Sequence, residues 1–259
     1  MFEKAASVTG MLSLVIGMTI GGPSVIAQPV DTALIDTGSA NDWLTYHGSY
    51  KSYHYSPLDQ INTGNVRDLA VAWIHVPGRS TRGLQSMPLA VDGVLYYTGS
   101  HSRTFALDGA TGKVIWSYIP ELDEALVARQ THSPYNRGAA IGEGKVFVGT
   151  VDGRLIALDM KNGAVRWTFQ PFEATMYVPL APDGFIYRHT ILLTLVCQSS
   201  PQKACSSQHL YALNAATGAE LWQYEGNSIA DVHLSADDSR VVFQNNSSGW
   251  QDLTARFRN

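Results

Sequence analysis

The stretch Ala106-Leu-Asp-Gly-Ala-Thr-Gly112-Lys-Val-Ile-Trp116 recurs twice further along this chain with the same internal spacing. The copies are Ala157-Leu-Asp-Met-Lys-Asn-Gly163-Ala-Val-Arg-Trp167 and Ala212-Leu-Asn-Ala-Ala-Thr-Gly218-Ala-Glu-Leu-Trp222, which begin 51 and then 55 residues further on. All three follow the pattern Ala-Φ-(Asp/Asn)-x-x-x-Gly-x-x-x-Trp, where Φ is apolar; we call this pattern the Trp cassette. A motif that returns at such a period indicates a repeat architecture, because each repeat must stack on its neighbours to bury its apolar faces.

Each Trp cassette predicts two antiparallel strands joined by a tight turn. The first strand ends at Asp or Asn, which favour turns, and Gly can adopt the positive φ that a tight turn needs. The second strand ends in Trp, whose large flat side chain is suited to packing between stacked sheets. The sequence therefore predicts an all-β fold, a β-propeller of four-stranded blades that dock through Trp.

Strand patterns around the cassettes divide the chain into repeats, predicted at residues 79–120, 132–171, 178–226 and 228–259. The last repeat is incomplete, because it lacks the turn and the Trp that should follow Leu253–Phe257. An unfinished blade leaves an exposed strand edge, which tends to pair with other chains. Before the repeats, Leu69–Val76 predicts a buried strand, and residues 28–42 predict a flexible lead.

The composition is that of an ordinary globular protein, with 259 residues, a net charge of −4 and 15% charged residues. The absence of a basic excess argues against a nucleic-acid partner. The sequence also lacks a Gly-rich nucleotide-binding loop with the required spacing and a Gly-x-Ser-x-Gly nucleophile motif. Nucleic-acid binding, nucleotide binding through a Gly-rich loop and hydrolysis by a Ser nucleophile are therefore not expected.

Residues 1–27 predict a cleavable signal peptide, with Lys4, the apolar run Met11–Ile20 and the cleavage pattern Val25-Ile-Ala27. An uncleaved anchor is the alternative. Residues 28–259 are then expected in an oxidising compartment, the periplasm if the source is bacterial. Cys197 and Cys205 bracket a polar loop, so a disulfide at its neck is predicted, with two free thiols as the alternative.

The Trp cassettes and the opening Asp42-Trp-Leu-Thr-Tyr resemble the quinoprotein alcohol dehydrogenases, which bind pyrroloquinoline quinone (PQQ). The resemblance is densest from Asn41 to about Gln170, and includes Asn136-Arg-Gly and Gly149-Thr-Val-Asp-Gly-Arg. It implies part of an eight-bladed propeller with PQQ and a Ca²⁺ or lanthanide ion on its axis. It also implies oxidation of a primary alcohol by hydride transfer to PQQ, with electrons passed to a cytochrome c.

The resemblance places four residues at cofactor-binding positions of that family, and two of them, Gln85 and His132, depart from the family's residue type. Arg137 matches an Arg that contacts the quinone oxygens. A guanidinium suits this role because it stays charged and donates several hydrogen bonds in a fixed plane; a loop Arg in an ion pair is the alternative. Asn136 precedes it in the same motif. Gln85 stands where the family has a Glu, so it can form hydrogen bonds but carries no charge. His132 stands where the family often has the second of two adjacent Cys; it can stack on a planar ring, or be an ordinary surface His.

The catalytic base and the metal ligands have no match. The metal-binding Glu is not found between Pro171 and Cys205, and Asp183, Asp231 and Asp237 are interpreted as turn or loop residues. Two functions therefore stay open: a PQQ-dependent alcohol dehydrogenase that is incomplete as it stands, and a non-catalytic periplasmic propeller that binds protein partners. A homo-oligomer in which two half-rings close one propeller would remove the exposed edges.

Overall fold

Four antiparallel sheets follow one another along the chain in this computed structural model. The residues that the structure describes are 30, 32–78, 80, 83–122, 136–171, 176–177, 185–187, 189–197, 208–226, 229–234, 240–245 and 249–254. The first sheet contains β1 (Leu89–Val91), β2 (Val94–Thr98), β3 (Thr104–Asp108) and β4 (Val114–Tyr118). The second contains β5 (Ala140–Gly142), β6 (Lys145–Gly149), β7 (Leu155–Asp159) and β8 (Val165–Phe169).

The third sheet contains β10 (Phe185–Tyr187), β11 (Thr190–Cys197), β12 (Gln208–Asn214) and β13 (Glu220–Gly226), with the short β9 (Met176–Tyr177) beside β11. The fourth contains β14 (Ala230–Leu234), β15 (Arg240–Asn245) and β16 (Gly249–Thr254). In every sheet the main strands are joined in sequence order. The all-β architecture of four-stranded units predicted from the Trp cassettes is therefore confirmed.

The three Trp cassettes adopt the same register. The cassette alanines face equivalent second-strand residues, in the pairs Tyr96↔Ala106, Phe147↔Ala157 and Leu192↔Ala212. In each sheet the pairing of the third and fourth strands shifts directly after that alanine. A shift at this point strengthens the local twist and turns the following strand toward the next sheet.

The turn of each cassette is held by its Asp or Asn. The Asp108 carboxylate accepts a hydrogen bond of 2.7 Å from the Thr111 amide, and the Asn214 side chain accepts one of 3.0 Å from the Thr217 amide. The hydrogen bonds from Thr111 lower the pKa of Asp108, because they stabilise the charged carboxylate that accepts them. The cassette glycines have φ of +70°, +71° and +75°, a region that other residues adopt only with strain (Gly112, Gly163 and Gly218).

The Trp of the first and of the second cassette docks on the Gly of the cassette that follows it. The Trp116 indole N–H donates to the Met160 carbonyl at 2.8 Å, and a Cβ on Gly163 would lie 2.6 Å from the Trp116 ring. In the same way Trp167 donates to the Ala215 carbonyl at 3.2 Å and covers Gly218. The cassette Gly is therefore required twice, by its own φ and by the ring that lies on it.

Trp73 docks on the first cassette in the same manner. Its indole N–H donates to the Gly109 carbonyl at 3.0 Å, and a Cβ on Gly112 would lie 2.5 Å from its ring. The prediction of a buried strand at Leu69–Val76 is nevertheless wrong. The segment is extended, but Val71 is 76% exposed and Ile74 is 80% exposed, and no strand of the described residues pairs with it. This apolar run is exposed because it lies at the end of the stack of sheets.

Three apolar clusters join the four sheets in order. The first lies between sheets one and two and includes Leu89 and Ile141; the second joins sheets two and three through Phe147 and Tyr211. The third joins sheets three and four through residues such as Phe243. Burial is therefore shared between neighbouring sheets, which is the expected arrangement for stacked repeats.

The N-terminal part of the described chain is packed against the first cluster. A short helix, α1 (Thr32–Thr37), buries Ile35 beside Val30 and Leu44, while the Trp43 and Ala90 backbones exchange two hydrogen bonds of 2.9 Å. The flexible lead predicted for residues 28–42 is therefore wrong from residue 32 onward, because apolar side chains give that segment a place in the core.

Some of the sequence predictions concern residues outside the described ranges. Residues 1–27 lie there entirely, as does Cys205, so the signal peptide and the disulfide stay predictions. Within the described ranges, no helix is long and apolar enough to cross a membrane. The outer limits assigned to each repeat also stay predictions.

Replacing Gly163 should show how much stability the docked Trp contributes. In Gly163→Ala the new Cβ would lie 2.6 Å from the Trp116 ring at φ +71°, so we expect the free energy of unfolding to fall by about 3 kcal/mol. Gly144→Ala is the matched control, because its φ is +66° with no atom within 4 Å of the new Cβ, and it should cost about 1 kcal/mol. Equal losses in urea unfolding would contradict the role of the Trp contact.

Tyr96 should make the contact between sheets one and two sensitive to alkaline pH. Its hydroxyl donates to the Met160 carbonyl at 3.2 Å, and burial, aided by Asp92 and Asp159, raises its pKa to about 12. Because the folded pKa lies above the unfolded value of about 10, this stabilisation is complete below pH 10 and is lost as pH rises to about 12. Unfolding followed at pH 9 and 11.5 should show an extra loss of about 1 to 2 kcal/mol that Tyr96→Phe lacks.

Candidate functional site

The loops of the first two sheets lie at two opposite ends of the sheets. Thr104 pairs with Tyr118, so the β2–β3 loop and the segment that follows β4 lie at the same end, and the cassette turns lie at the other. Residues that precede β1 and β5 also lie at the first end, because Leu89 pairs with Tyr96 and Ala140 with Phe147. We call this the loop end; its described members are residues 83–88, 99–103, 119–122, 136–139 and 150–154.

Asn136 ties the loop end to both sheets. Its amide oxygen accepts hydrogen bonds from the Thr98 hydroxyl at 2.8 Å and from the Gly138 amide at 2.9 Å. Its amide nitrogen donates to the Gly149 carbonyl at 2.8 Å and to the Ser102 hydroxyl at 3.4 Å. An amide side chain has two donor hydrogens and two acceptor lone pairs, so these contacts use all of them. The geometry gives Asn136 a positioning role for the residues beside it.

Arg137 and Gln85 lie on neighbouring segments. A Cβ placed on Gly138, next to Arg137, would lie 3.7 Å from the Met87 carbonyl oxygen and 3.9 Å from the Ser86 hydroxyl. The Ser86 hydroxyl in turn accepts a hydrogen bond of 2.9 Å from the Thr98 amide. Both Arg137 and Gln85 are exposed, so their polar groups are accessible to a ligand at this end. The structure therefore places the segments that carry Gln85 and Arg137 side by side, and the cofactor role of these residues stays a prediction.

The β2–β3 loop carries backbone strain at the same end. His101 and Ser102 have φ of +60° and +57°, the left-handed region that residues other than Gly adopt at a cost of about 1 to 3 kcal/mol each. Ser102 is held there because its buried hydroxyl accepts hydrogen bonds from the Val151 amide at 3.2 Å and from Asn136. Strain that is retained by surrounding contacts is typical of functional loops.

His101 carries a buried and unsatisfied polar atom at the loop end. Its Nδ1 is buried and has no hydrogen-bond partner among the residues that the structure describes. Burial, followed by the nearby Arg103 guanidinium, lowers the pKa of its imidazole. His101 is thus expected to be neutral at pH 7, with one ring nitrogen able to accept a hydrogen bond.

The β6–β7 loop is built around Asp152. This buried carboxylate contacts the Thr150 hydroxyl and forms an ion pair with Arg154, with the closest N–O distance 2.6 Å. Arg154 also donates to the Glu121 carbonyl at 2.7 Å. The charge of Asp152 is therefore used to fix the loop and to link it to the segment that follows β4.

His132, a metal site and the cleft between the first two sheets remain to be placed. His132 lies outside the described residues, and its role stays a prediction. Among the residues that are described, no group of three or more His, Cys, Asp and Glu side chains could hold a metal ion. A cleft of about 980 Å³ between the first two sheets lies at the opposite end, beside Asp92, Lys145 and Arg166, and contains none of the predicted cofactor residues. The candidate site is assigned to the loop end because the predicted cofactor residues Gln85, Asn136 and Arg137 lie there.

Four residues of the loop end were not predicted from the sequence: His101, Ser102, Asp152 and Arg154. The motif Thr150-Val-Asp-Gly-Arg154 places an acidic and a basic residue in one turn, which is the sequence signal for the Asp152–Arg154 pair. The left-handed pair His101-Ser102 offered none, because neither residue is Gly or Asn.

Two family models match the chain. The model of the glucose/ethanol/alcohol dehydrogenase β-propeller domain matches residues 43–174, and that of the outer membrane protein assembly factor BamB matches residues 119–249. The first contains the described part of the loop end in full, and the second covers mostly the later sheets. This division agrees with the sequence, in which the specific motifs end near Gln170 and only the generic repeat continues.

Curated relatives are quinone-dependent alcohol dehydrogenases. The dehydrogenase subunit of the quinone alcohol dehydrogenase of Gluconobacter oxydans is 47% identical over 152 residues, which is 55% of this chain and 20% of the relative. The 1-butanol dehydrogenase (quinone) of Thauera butanivorans is 34% identical over 223 residues, which is 84% of this chain and 35% of the relative. The chain therefore spans about a fifth to a third of the length of these relatives.

Solved structures share the fold. The quinohemoprotein alcohol dehydrogenase of Comamonas testosteroni superposes with a TM-score of 0.68 at 26% identity, over 83% of this chain and 37% of that protein. A europium-containing methanol dehydrogenase superposes with a TM-score of 0.61 at 25% identity, over 77% of this chain and 34% of that protein. The sheets described above are thus the blades of a β-propeller.

Removing the Asn136 amide should loosen the loop end. Asn136→Ala deletes four hydrogen bonds and leaves partly buried partners such as the Thr98 hydroxyl unsatisfied, so we expect the free energy of unfolding to fall by about 2 to 4 kcal/mol. Asn162→Ala is the control, because that exposed side chain accepts one hydrogen bond, from the Ala164 amide, and should cost less than about 1 kcal/mol. Similar losses for the two variants would show that Asn136 does not anchor the loop end.

Proposed function

The chain belongs to the family of the glucose/ethanol/alcohol dehydrogenase β-propeller domain, whose model matches half of its residues, and from this premise we propose that it forms part of the PQQ-binding ring of an alcohol dehydrogenase. The observation that carries the proposal is the position of that match. It includes Gln85, Asn136 and Arg137 together with the loops that hold them. The substrate class proposed is a primary alcohol, by analogy with the relatives.

The residues at the loop end fit an anionic, planar, oxygen-rich cofactor in part. The planar, permanently charged guanidinium of Arg137 donates hydrogen bonds to the cofactor oxygens, and the Gln85 amide adds an uncharged donor or acceptor. Asn136 holds the backbone beside Arg137 in place through its bonds to Thr98 and Gly149. When bound, PQQ supplies the group that accepts hydride from the alcohol.

The metal ion of the proposed site is less well supported. A Ca²⁺ or lanthanide ion is proposed by analogy with the europium-containing neighbour. In the described part of the chain no cluster of acidic, His or Cys side chains would bind it. Cofactor binding, rather than turnover, is therefore what we propose for this chain taken alone.

Export to the periplasm and electron transfer to a cytochrome c complete the proposal. Residues 1–27 have the pattern of a signal peptide, and relatives bear the names quinohemoprotein and dehydrogenase subunit, which indicate a haem group or a further subunit beside the quinone. The BamB model over residues 119–249 favours a second candidate, a non-catalytic propeller that binds protein partners. The two candidates differ in whether the loop end binds the quinone.

A titration with PQQ, with and without Ca²⁺ or a lanthanide, tests the proposed function. We expect saturable binding seen in the quinone absorbance, and about tenfold to hundredfold weaker binding in Arg137→Ala, since a charge-assisted contact contributes about 1.5 to 3 kcal/mol. Arg166→Ala is the control, because that exposed guanidinium pairs with Asp159 at the opposite end of the sheet and should leave PQQ affinity unchanged. A folded chain that does not bind PQQ would favour the protein-binding propeller.

A further inference from the structure

Two histidine rings meet nitrogen to nitrogen in the segment that follows Trp43. The Nδ1 atom of His47 and the Nε2 atom of His54 are hydrogen-bonded to each other, with the ring centroids 4.2 Å apart and the ring planes at 71°. One of these nitrogens donates its hydrogen and the other accepts it, because a neutral imidazole has one nitrogen of each kind. Neither residue belongs to the loop end, and the proposed function does not use the pair.

The turn that carries His47 is fixed on the first sheet. Trp43 exchanges two backbone hydrogen bonds with β1, and a Cβ on Gly48 would lie 3.3 Å from the Trp43 ring. The Gly48 amide donates to the Thr45 carbonyl at 3.1 Å, which closes the turn around His47. The Tyr46 ring packs edge-on against the His47 ring, 4.7 Å away between centroids. His47 therefore presents its Nδ1 atom from a defined position.

His54 reaches His47 through a strained backbone. Ser52 and His54 have φ of +55° and +49°, in the left-handed region that favours Gly. The Ser52 amide donates to the Ser49 carbonyl at 3.0 Å, so the chain turns back before residue 54. Two left-handed residues cost more than one hydrogen bond between neutral, solvent-accessible rings returns. Strain that the local contacts do not offset indicates a further interaction at this pair.

The facing nitrogens have the chemistry of a transition-metal site. Imidazole nitrogen suits Zn²⁺, Cu²⁺ and Ni²⁺, whereas hard cations such as Ca²⁺ take oxygen ligands. Two nitrogens bound to one tetrahedral ion lie about 3.3 Å apart, so the rings need only separate slightly from their contact. Within the described ranges no third His, Cys, Asp or Glu completes a cluster with the pair, which leaves the other coordination positions to water. The pair is thus distinct from the Ca²⁺ or lanthanide site that the resemblance implies.

We propose that His47 and His54 form a two-ligand site for a divalent transition-metal ion of the Cu²⁺ and Zn²⁺ class. The ion is bound by Nδ1 of His47 and Nε2 of His54, each ring carries its hydrogen on the other nitrogen, and water completes the coordination. The ion ties the fixed turn at His47 to the strained residue His54, and this link offsets the strain that the hydrogen bond leaves. The inference is independent of PQQ binding, since none of the candidate cofactor residues takes part.

Titration with Cu²⁺ alone, followed by calorimetry and electron paramagnetic resonance, tests the site. The chain is used without quinone and without a His tag, because it already contains eight His that could bind the ion singly. We expect one tight Cu²⁺ per chain with hyperfine coupling to two imidazole nitrogens, and weaker binding of Zn²⁺ at the same site. Coupling to a single nitrogen, or several equivalent weak sites, would show binding to isolated His side chains and would overturn the proposal.

Two variants and a matched control assign the ligands. His47→Asn and His54→Asn each remove one imidazole, and Asn tolerates the left-handed backbone at residue 54. Each should weaken Cu²⁺ binding about a hundredfold and remove one nitrogen from the spectrum, because two linked ligands exceed one by about that factor. His189→Asn is the control, because that imidazole pairs with Glu143 between other sheets and should leave the affinity unchanged. Unchanged affinity in either His47→Asn or His54→Asn overturns the proposal.

Hydrogen exchange shows whether the ion acts on this segment. At a Zn²⁺ concentration of about ten times its dissociation constant, exchange of the amides of residues 48–54 should slow about tenfold in the unchanged chain. The same concentration should have no effect on these amides in His54→Asn. Protection elsewhere without protection of residues 48–54 would place the ion on other side chains and contradict the site.

Discussion

The docking of Trp116 and Trp167 on the Gly of the next cassette is the contact on which the rest of the structure depends. The indole N–H bonds to a turn carbonyl, and the ring occupies the space where any Cβ at the cassette Gly would lie. The same Gly has a positive φ that closes its turn. One small residue thus meets a local and a long-range requirement at once, which is why the spacing from Gly to Trp is identical in the three cassettes. Trp73 extends the series by one contact beyond the cassettes.

This arrangement explains how much of the fold the sequence predicts. Strand order, turns and the docking role of Trp all follow from a pattern that repeats, so each copy supports the interpretation of the others. For Leu69–Val76 the sequence correctly predicts an extended segment but wrongly predicts burial, because an apolar run carries no information about whether a neighbouring strand covers it. The helix α1 is not predicted because six residues are too few to show a helical period.

For the candidate site, the sequence predicts which segments are involved but not the hydrogen bonds that hold them. The motif Asn136-Arg-Gly marks a place in a known pattern, and Arg137 and Gln85 do lie on adjoining segments. The role of Asn136 depends on Thr98, Ser102 and Gly149, which are distant in sequence and meet only in the folded protein. The left-handed backbone of His101 and Ser102 likewise arises from tertiary contacts rather than from residue type. Sequence patterns indicate which loops form the candidate site, while the hydrogen-bond network shows which side chains already have partners within the protein.

The loop end and the docked Trp residues lie at opposite ends of the same pair of sheets, yet they are mechanically linked. Asn136 bonds to Thr98 in the first sheet and to Gly149 in the second, so its position requires a fixed separation between the two. That separation is set by the apolar cluster between the sheets and by Trp116 on Gly163. Arg137 follows Asn136 directly, so its guanidinium can be held in one place only while the sheets keep their spacing. A cassette Gly at the opposite end of the sheets is therefore part of the support of the candidate site.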